Sequence, residues 1–225
     1  MKFIILFILL VPLSSFSETK NYKIAEKTRV LFHLPYTLGT HDGEAKISKG
    51  KLKLDINSPN STIGEFSVAI DSMTTGSNER DCHLREALGL NYELSDFPNE
   101  HVCNEAHALP TTGKNSIVFP EIIFKILSMK SLDPSGKILT DKVTPIEVEG
   151  QWTIHGISKK EILYMKISPE KEFLRVQGDT QFSLKDYNVI VKPGKVLFLT
   201  ISVKDTVNVS LSILFEAEEI IKASN

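Results

Sequence analysis

Val207-Asn208-Val209-Ser210-Leu211-Ser212-Ile213-Leu214-Phe215 carries an apolar side chain at every odd position and Asn or Ser at 208, 210 and 212. A period of two puts successive side chains on opposite faces of an extended chain, so this run reads as a strand with one buried and one wet face. The same alternation recurs at Val30, Phe32 and Leu34, and at Leu52, Leu54 and Ile56 against Lys51, Lys53 and Asp55. It continues at Phe66, Val68 and Ile70, then at Ile122, Phe124 and Ile126. Ile146, Val148, Trp152 and Ile154 repeat it around Gly150, and Leu163, Met165 and Ile167 follow. Turn chemistry separates the runs: Asp42-Gly43, Ser58-Pro59-Asn60, Asp133-Pro134-Ser135-Gly136 and Lys192-Pro193-Gly194. About eight antiparallel strands at short spacing, without long helices between them, predict an all-β sandwich or barrel. Periodicity does not choose between the two.

Composition narrows the class. The 225 residues are 41% hydrophobic and 24% charged with net charge -2, as expected for one globular domain. Twenty-six Lys and Arg against 28 Asp and Glu leave no basic surplus for a nucleic acid backbone. The first residues read as an export signal. Lys2 supplies a positive start, Phe3 to Val11 is an unbroken apolar run, and Ser15-Phe16-Ser17 places small residues at a cleavage site. The apolar run falls short of the roughly 20 residues that span a bilayer. Cleavage after Ser17 would leave residues 18–225 as a domain with no transmembrane segment and, having lost Lys2, a net charge of -3.

One short helix is expected from Asn78 to Leu90, with Ser77 or Asn78 as its cap and Leu84, Ala87 and Leu88 on one face. Residues 91–115 read as a long loop. Arg80, Asp81, His83 and Arg85 form either a polar site or a capping and ion-pair cluster on that helix. His155 beside Gly156 reads as a hydrogen-bonded turn histidine. The sequence holds no Gly-x-Ser-x-Gly elbow, no phosphate-cradling glycine loop and no His-Glu-x-x-His helix, so catalysis has no anchor and no cofactor is expected. Asn60-Ser61-Thr62 and Asn208-Val209-Ser210 fit glycosylation sequons, relevant only in a eukaryotic secretory host.

Ser72-Met73-Thr74-Thr75-Gly76-Ser77-Asn78-Glu79-Arg80-Asp81-Cys82-His83-Leu84-Arg85 resembles the signature of the YceI-like family: a strand ending in a Thr-Gly turn, then an Arg-Asp-x-His-Leu-Arg helix. Val30-Leu31-Phe32-His33 to Leu38-Gly39-Thr40 with Gly43 resembles that family's opening strand pair. Phe119-Pro120-Glu121-Ile122-Ile123-Phe124 and Val148-Glu149-Gly150-Gln151-Trp152-Thr153-Ile154-His155-Gly156 are similar to two later strands, in the family's order. The resemblance implies an extended lipocalin-like antiparallel β-barrel, exported to the periplasm or secreted, that holds an isoprenoid or fatty chain and often dimerises. It makes the protein a non-enzymatic carrier or sequestering protein for an amphiphilic lipid. The rival classes are a secreted hydrolase and a structural β-sandwich interaction domain without ligand. In the carrier reading the strand phases put Phe32, Leu34, Leu54, Phe66, Val68, Phe124, Trp152 and Leu211 on the cavity wall.

Two departures from the family pattern stand out. About twenty extra residues, roughly Leu94 to Lys114, separate the helix from the strand at Phe119, and Ser183-Leu184-Lys185-Asp186-Tyr187-Asn188-Val189 lacks the glycine of the family's Arg-x-Asp-Phe-Gly stretch. Cys82 and Cys103 admit three readings: a disulfide, a metal pair or free thiols. An exported chain favours the disulfide, which would pin the insertion to the helix as a cover near the barrel mouth. The metal reading would draw on His83, His101, Cys103 and His107, which show no close-spaced zinc pattern. No metal is expected.

Overall fold

The computed structural model describes residues 19–90, 117–191, 193–196 and 199–218. Twelve strands and one helix are formed: β1 (Thr19–Ile24), β2 (Arg29–Tyr36), β3 (Gly39–Ala45), β4 (Ile47–Asp55), β5 (Ile63–Ala69), α1 (Asn78–Ala87), β6 (Glu121–Ser131), β7 (Thr144–Ile154), β8 (Ile157–Glu170), β9 (Phe173–Ser183), β10 (Gly194–Val196), β11 (Leu199–Ile201) and β12 (Thr206–Ala217).

β2 pairs with β3 from Tyr36 opposite Gly39 to Val30 opposite Ala45, and β1 pairs with β4 from Lys23 opposite Lys51 to Thr19 opposite Asp55. The register slips by one residue between the two halves. β1–β2 and β3–β4 are therefore one long hairpin whose strands each break once, at 25–28 and at Lys46. Six further strands, β5 to β9 and β12, run antiparallel beside it. β12 closes the ring, pairing Asn208–Ser212 with β2 and Phe215–Ala217 with β1. The result is an eight-stranded closed barrel, and closure decides for the barrel over the sandwich.

The run at 207–215 behaves as its period demands: Val207, Val209, Leu211, Ile213 and Phe215 are all buried. One end of the barrel is filled. Leu54, Ile146 and Ile167 are fully buried there, and the loops over that end are tied by Ile138 N–H donating to the Ile56 carbonyl and Leu139 N–H to Thr144 Oγ1. α1 lies at the opposite end, capped by Ser77, whose hydroxyl accepts from Arg80 N–H at 3.5 Å. It stops at Ala87, three residues short of the expected Leu90, because Gly89 adopts φ +98° and Leu90 pairs instead with Ile117. Three strands carry little alternation. β3 is Gly-Thr-His-Asp-Gly-Glu-Ala, β1 has Tyr22 as its buried side chain, and β9 places Gly178 and Thr180 between Val176 and Phe182. The insertion at 94–114, the whole loop at 91–115 and the expected export signal at 1–17 lie outside the described residues.

A cavity at the open end of the barrel

Between α1 and the filled end runs a cavity of about 670 Å³ whose wall is overwhelmingly apolar. Its existence depends on where the glycines fall. A Cβ on Gly43 would come within 2.1 Å of the Phe32 ring, and one on Gly150 within 2.1 Å of the Phe124 ring. Both rings therefore lie flat over bare backbone, where any side chain would push them into the lumen. Phe124 also packs on Trp152 with centroids 4.4 Å apart, and Trp152 meets Phe182 edge-on at 4.9 Å.

Of the eight residues expected on the wall, Phe32, Leu34, Phe66, Val68, Phe124, Trp152 and Leu211 line the cavity. Leu54 does not. It faces inward as its phase requires, but it sits with no exposed surface in the filled end, where Leu52 is the last residue of its strand to reach the lumen. Strand phase tells inward from outward; it carries no information on how far along the axis a barrel is packed solid.

Apart from Ser183 at the end of β9, the polar lining gathers on one side of the mouth: His41 from β3, Thr75 from the turn before the helix, and Arg80, His83 and Glu86 from α1. His41 stacks on Tyr36 with centroids 4.0 Å apart. Burial and the Arg80 guanidinium hold its pKa below the ordinary histidine value, with Asp42 opposing them. Arg80 is oriented by the turn, donating through Nε to Thr75 Oγ1 at 3.3 Å and through Nη2 to the Thr75 carbonyl at 3.0 Å. His83 Nδ1 lies 2.8 Å from Glu86 Oε2. His41, Thr75 and Glu86 escape sequence reading. Only the pairing of His41 with the inward Leu34 marks it as a rim residue.

The four polar residues of the helix thus divide. Arg80 and His83 face the cavity mouth, whereas Asp81 and Arg85 are buried and hold the turn at 71–75 against the helix. Asp81 accepts from Thr74 Oγ1 at 2.8 Å and from Thr75 N–H and Oγ1 at 2.6 Å each. Arg85 donates to the carbonyls of Asp81, Asp71 and Met73. Burial lowers its pKa, and the Asp71 and Asp81 carboxylates oppose that shift. Of the residues considered for metal binding only His83 is described, and no cluster of metal ligands occurs among the described residues. Cys82 is fully buried and no described cysteine is free; Cys103 lies outside the described residues.

Opposite the polar side, residues 184–189 fold over the rim. His155, at φ +51° in the two-residue β7–β8 turn, brings Nδ1 to 3.1 Å from the Tyr187 carbonyl. Tyr187 is buried, and desolvation, followed by the Glu161 and Asp186 charges, raises its phenol pKa from 10.0 to about 12. A phenol whose pKa is higher in the fold than in the open chain stabilises the fold below the unfolded value. That contribution, on the order of 2–3 kcal/mol, is lost as pH rises from 10 to 12. Stability against urea is expected to fall across this window in the native chain and to fall less in Tyr187→Phe. Equal slopes in the two proteins would show that Tyr187 titrates as an ordinary phenol.

The comparisons with known proteins agree with this architecture. The family model of the YceI-like domain matches residues 115–215. The structure of BcnA from Burkholderia cenocepacia superposes with a TM-score of 0.58 at 11% identity, covering 84% of this chain and 96% of that one. A polyisoprenoid binding domain from Saccharophagus degradans, implicated in plant cell wall breakdown, gives 0.58 at 12% identity, covering 89% and 100%. At these identities the likeness is one of fold. No curated protein sequence matches the chain. The chain is thus similar to the YceI-like domain over residues 115–215 and shares its barrel fold with both solved structures.

Proposed function

We propose that the protein is a non-enzymatic carrier or sequestering protein that encloses the tail of a single-chain amphiphile, an isoprenoid or a fatty chain, and leaves its head at the mouth near His41, Arg80 and His83. The observation that carries this reading is the cavity: apolar along its length, filled at one end, and with its charged lining gathered at its opening. The solved barrel described as polyisoprenoid binding, similar in fold, supports the same ligand class. Burying a sixteen-carbon chain at about 0.8 kcal/mol per methylene yields roughly 12 kcal/mol gross. Association costs of about 4–15 kcal/mol offset that, so the affinity rests on how completely the tail is enclosed. The export signal at 1–17 supports action outside the cytoplasm, in the periplasm or beyond it. In that compartment a Cys82–Cys103 disulfide would join the helix to the insertion.

Native mass spectrometry of protein purified from its own exporting host, followed by organic extraction, is expected to show a bound lipid mass that delipidation removes and re-addition restores. Peptide mapping without reductant on the same sample is expected to recover 82 linked to 103. A ligand-free protein that takes up neither fatty acid nor polyprenol would overturn the carrier reading, and free thiols would overturn the pairing.

A further inference from the structure

Neighbouring strands around the ring are hydrogen-bonded along nearly all of the length they share, with one exception. β8 and β9 pair only where Lys166–Glu170 meets Phe173–Gln177. Above that point β8 continues to Ile157 bonded to β7 alone, and β9 continues to Ser183 bonded to β12 alone. The fork begins at Gly178, where a Cβ would stand 2.9 Å from Met165 Cγ, so the Met165 side chain occupies the space beside the first unpaired residue. One side-chain hydrogen bond crosses the seam, Thr180 Oγ1 donating to Glu161 Oε1 at 2.8 Å. Residues 184–189 cover its upper part. They are fastened by the His155–Tyr187 contact and by the exposed Lys159–Asp186 ion pair at 3.0 Å, and Tyr187 packs edge-on against Phe182 at 6.1 Å.

The residues on both banks of this seam, Leu163 and Met165 on β8 and Val176 and Phe182 on β9, line the cavity, and so do Leu184 and Tyr187 of the cover. Lumen and solvent are therefore separated here by side chains alone, whereas along the paired stretches of the wall a backbone ladder intervenes. The cover stays anchored to its own bank through Leu184 N–H and Lys185 N–H donating to Asp205, but across the seam an exposed ion pair contributes little and the two other polar contacts named are single hydrogen bonds. Outside the seam stand the exposed side chains of Ile162 and Tyr164 on β8 and Ile190 beyond the cover, an apolar border to the slit.

The geometry points to a lateral portal: the hydrocarbon tail enters and leaves between β8 and β9 as the Thr180–Glu161 latch parts and the Tyr187 segment lifts. This inference rests on the carrier reading of the cavity. It explains how a chain held in a barrel filled at one end can leave without being drawn lengthwise past the polar side of the mouth.

The test uses cis-parinaric acid, a fluorescent fatty acid, with release followed by stopped flow against excess oleate. Neither Thr180 nor Glu161 lines the cavity, so Thr180→Val is expected to leave the equilibrium affinity within about threefold while speeding both uptake and release about tenfold, the effect of losing one hydrogen bond to a carboxylate. Glu161→Cys with Thr180→Cys, joined by a short bis-thiol cross-linker, is expected to slow release by at least about tenfold relative to the same variant left open. Amide hydrogen exchange gives a readout that needs no ligand. Residues 159–165 and 179–190 are expected to exchange together and well ahead of β7 and β12. Binding with unchanged rates in both variants would overturn the portal, as would seam amides protected as strongly as those of β7. If cis-parinaric acid fails to bind at all, the carrier reading falls, and the exchange data alone then decide whether the seam opens.

Discussion

Val68→Asp is expected to weaken binding of cis-parinaric acid by more than about a hundredfold while leaving the barrel folded. Val68 lies on β5 between Ile47 of β4 and Ile122 of β6, is half-buried, and faces the lumen. A carboxylate there meets water in the empty cavity but would meet hydrocarbon in the filled one. Desolvating it without a partner costs roughly 2–7 kcal/mol, and about 1.4 kcal/mol is a tenfold change in affinity. The position is chosen over Phe124, because Phe124→Asp would also remove the ring that covers Gly150 and packs on Trp152, mixing a loss of stability with the loss of affinity. Near-UV circular dichroism around Trp152 monitors the fold. A folded variant that binds with native affinity would remove Val68 from the tail's path and force the ligand to another part of the lumen.

The wall of this cavity was legible in the sequence to the extent that it obeys a period of two. Phe66, Val68, Phe124, Trp152 and Leu211 face the lumen because a strand has only two faces and the larger apolar side chains of each recur on this one. Closure was not legible. It depends on β12 reaching both β1 and β2, a pairing between the two ends of the described chain, and local alternation says nothing about which strands are neighbours. Nor could the residues show where the lumen ends: Leu52 and Leu54 have the same phase, and only the loops crossing the filled end distinguish them. The family resemblance supplied the barrel, and with it the opening strand pair, whose second strand at 39–45 carries almost no apolar signal.

The seam between β8 and β9 lay beyond sequence reading for a related reason. Leu163, Met165 and Ile167 alternate without interruption, and the loss of pairing above Lys166 leaves the inward phase unchanged. β9 gives a faint sign, since Gly178 and Thr180 stand where its neighbours have Leu211 and Val209. A strand that turns polar on its inward face is a strand with less reason to be sealed. The polar helix was legible as a cluster but not in its division of labour: helix geometry sends neighbouring residues in different directions, and only docking decides which of those directions is buried.

That division makes Asp81 the position where a single atom-scale change should cost most. Its carboxylate accepts three hydrogen bonds from Thr74 and Thr75 and sits close enough to the buried Arg85 to offset that residue's desolvation. Asp81→Ala removes both acceptor oxygens and with them all three hydrogen bonds, strands the Thr75 N–H, and leaves the guanidinium with Asp71 as its remaining carboxylate, half exposed and 3.4 Å from Nε. Hydrogen bonds to a charged group contribute about 1.5–3 kcal/mol each but not additively. Breaking a buried charged arrangement by removing one partner costs about 3–5 kcal/mol, and that range is the expected loss in urea unfolding. With an m-value of about 1–3 kcal/mol per molar, the midpoint should move by at least about 1 M. Asp81→Asn keeps one acceptor and discards the charge, so it should fall between the two. Arg80→Ala, on the same helix but at the exposed mouth, should cost under about 1 kcal/mol. Equal losses for Arg80→Ala and Asp81→Ala would mean that the buried pair and the rim pair are one network, and that the helix is fastened as much by its contacts at the mouth as by those beneath it.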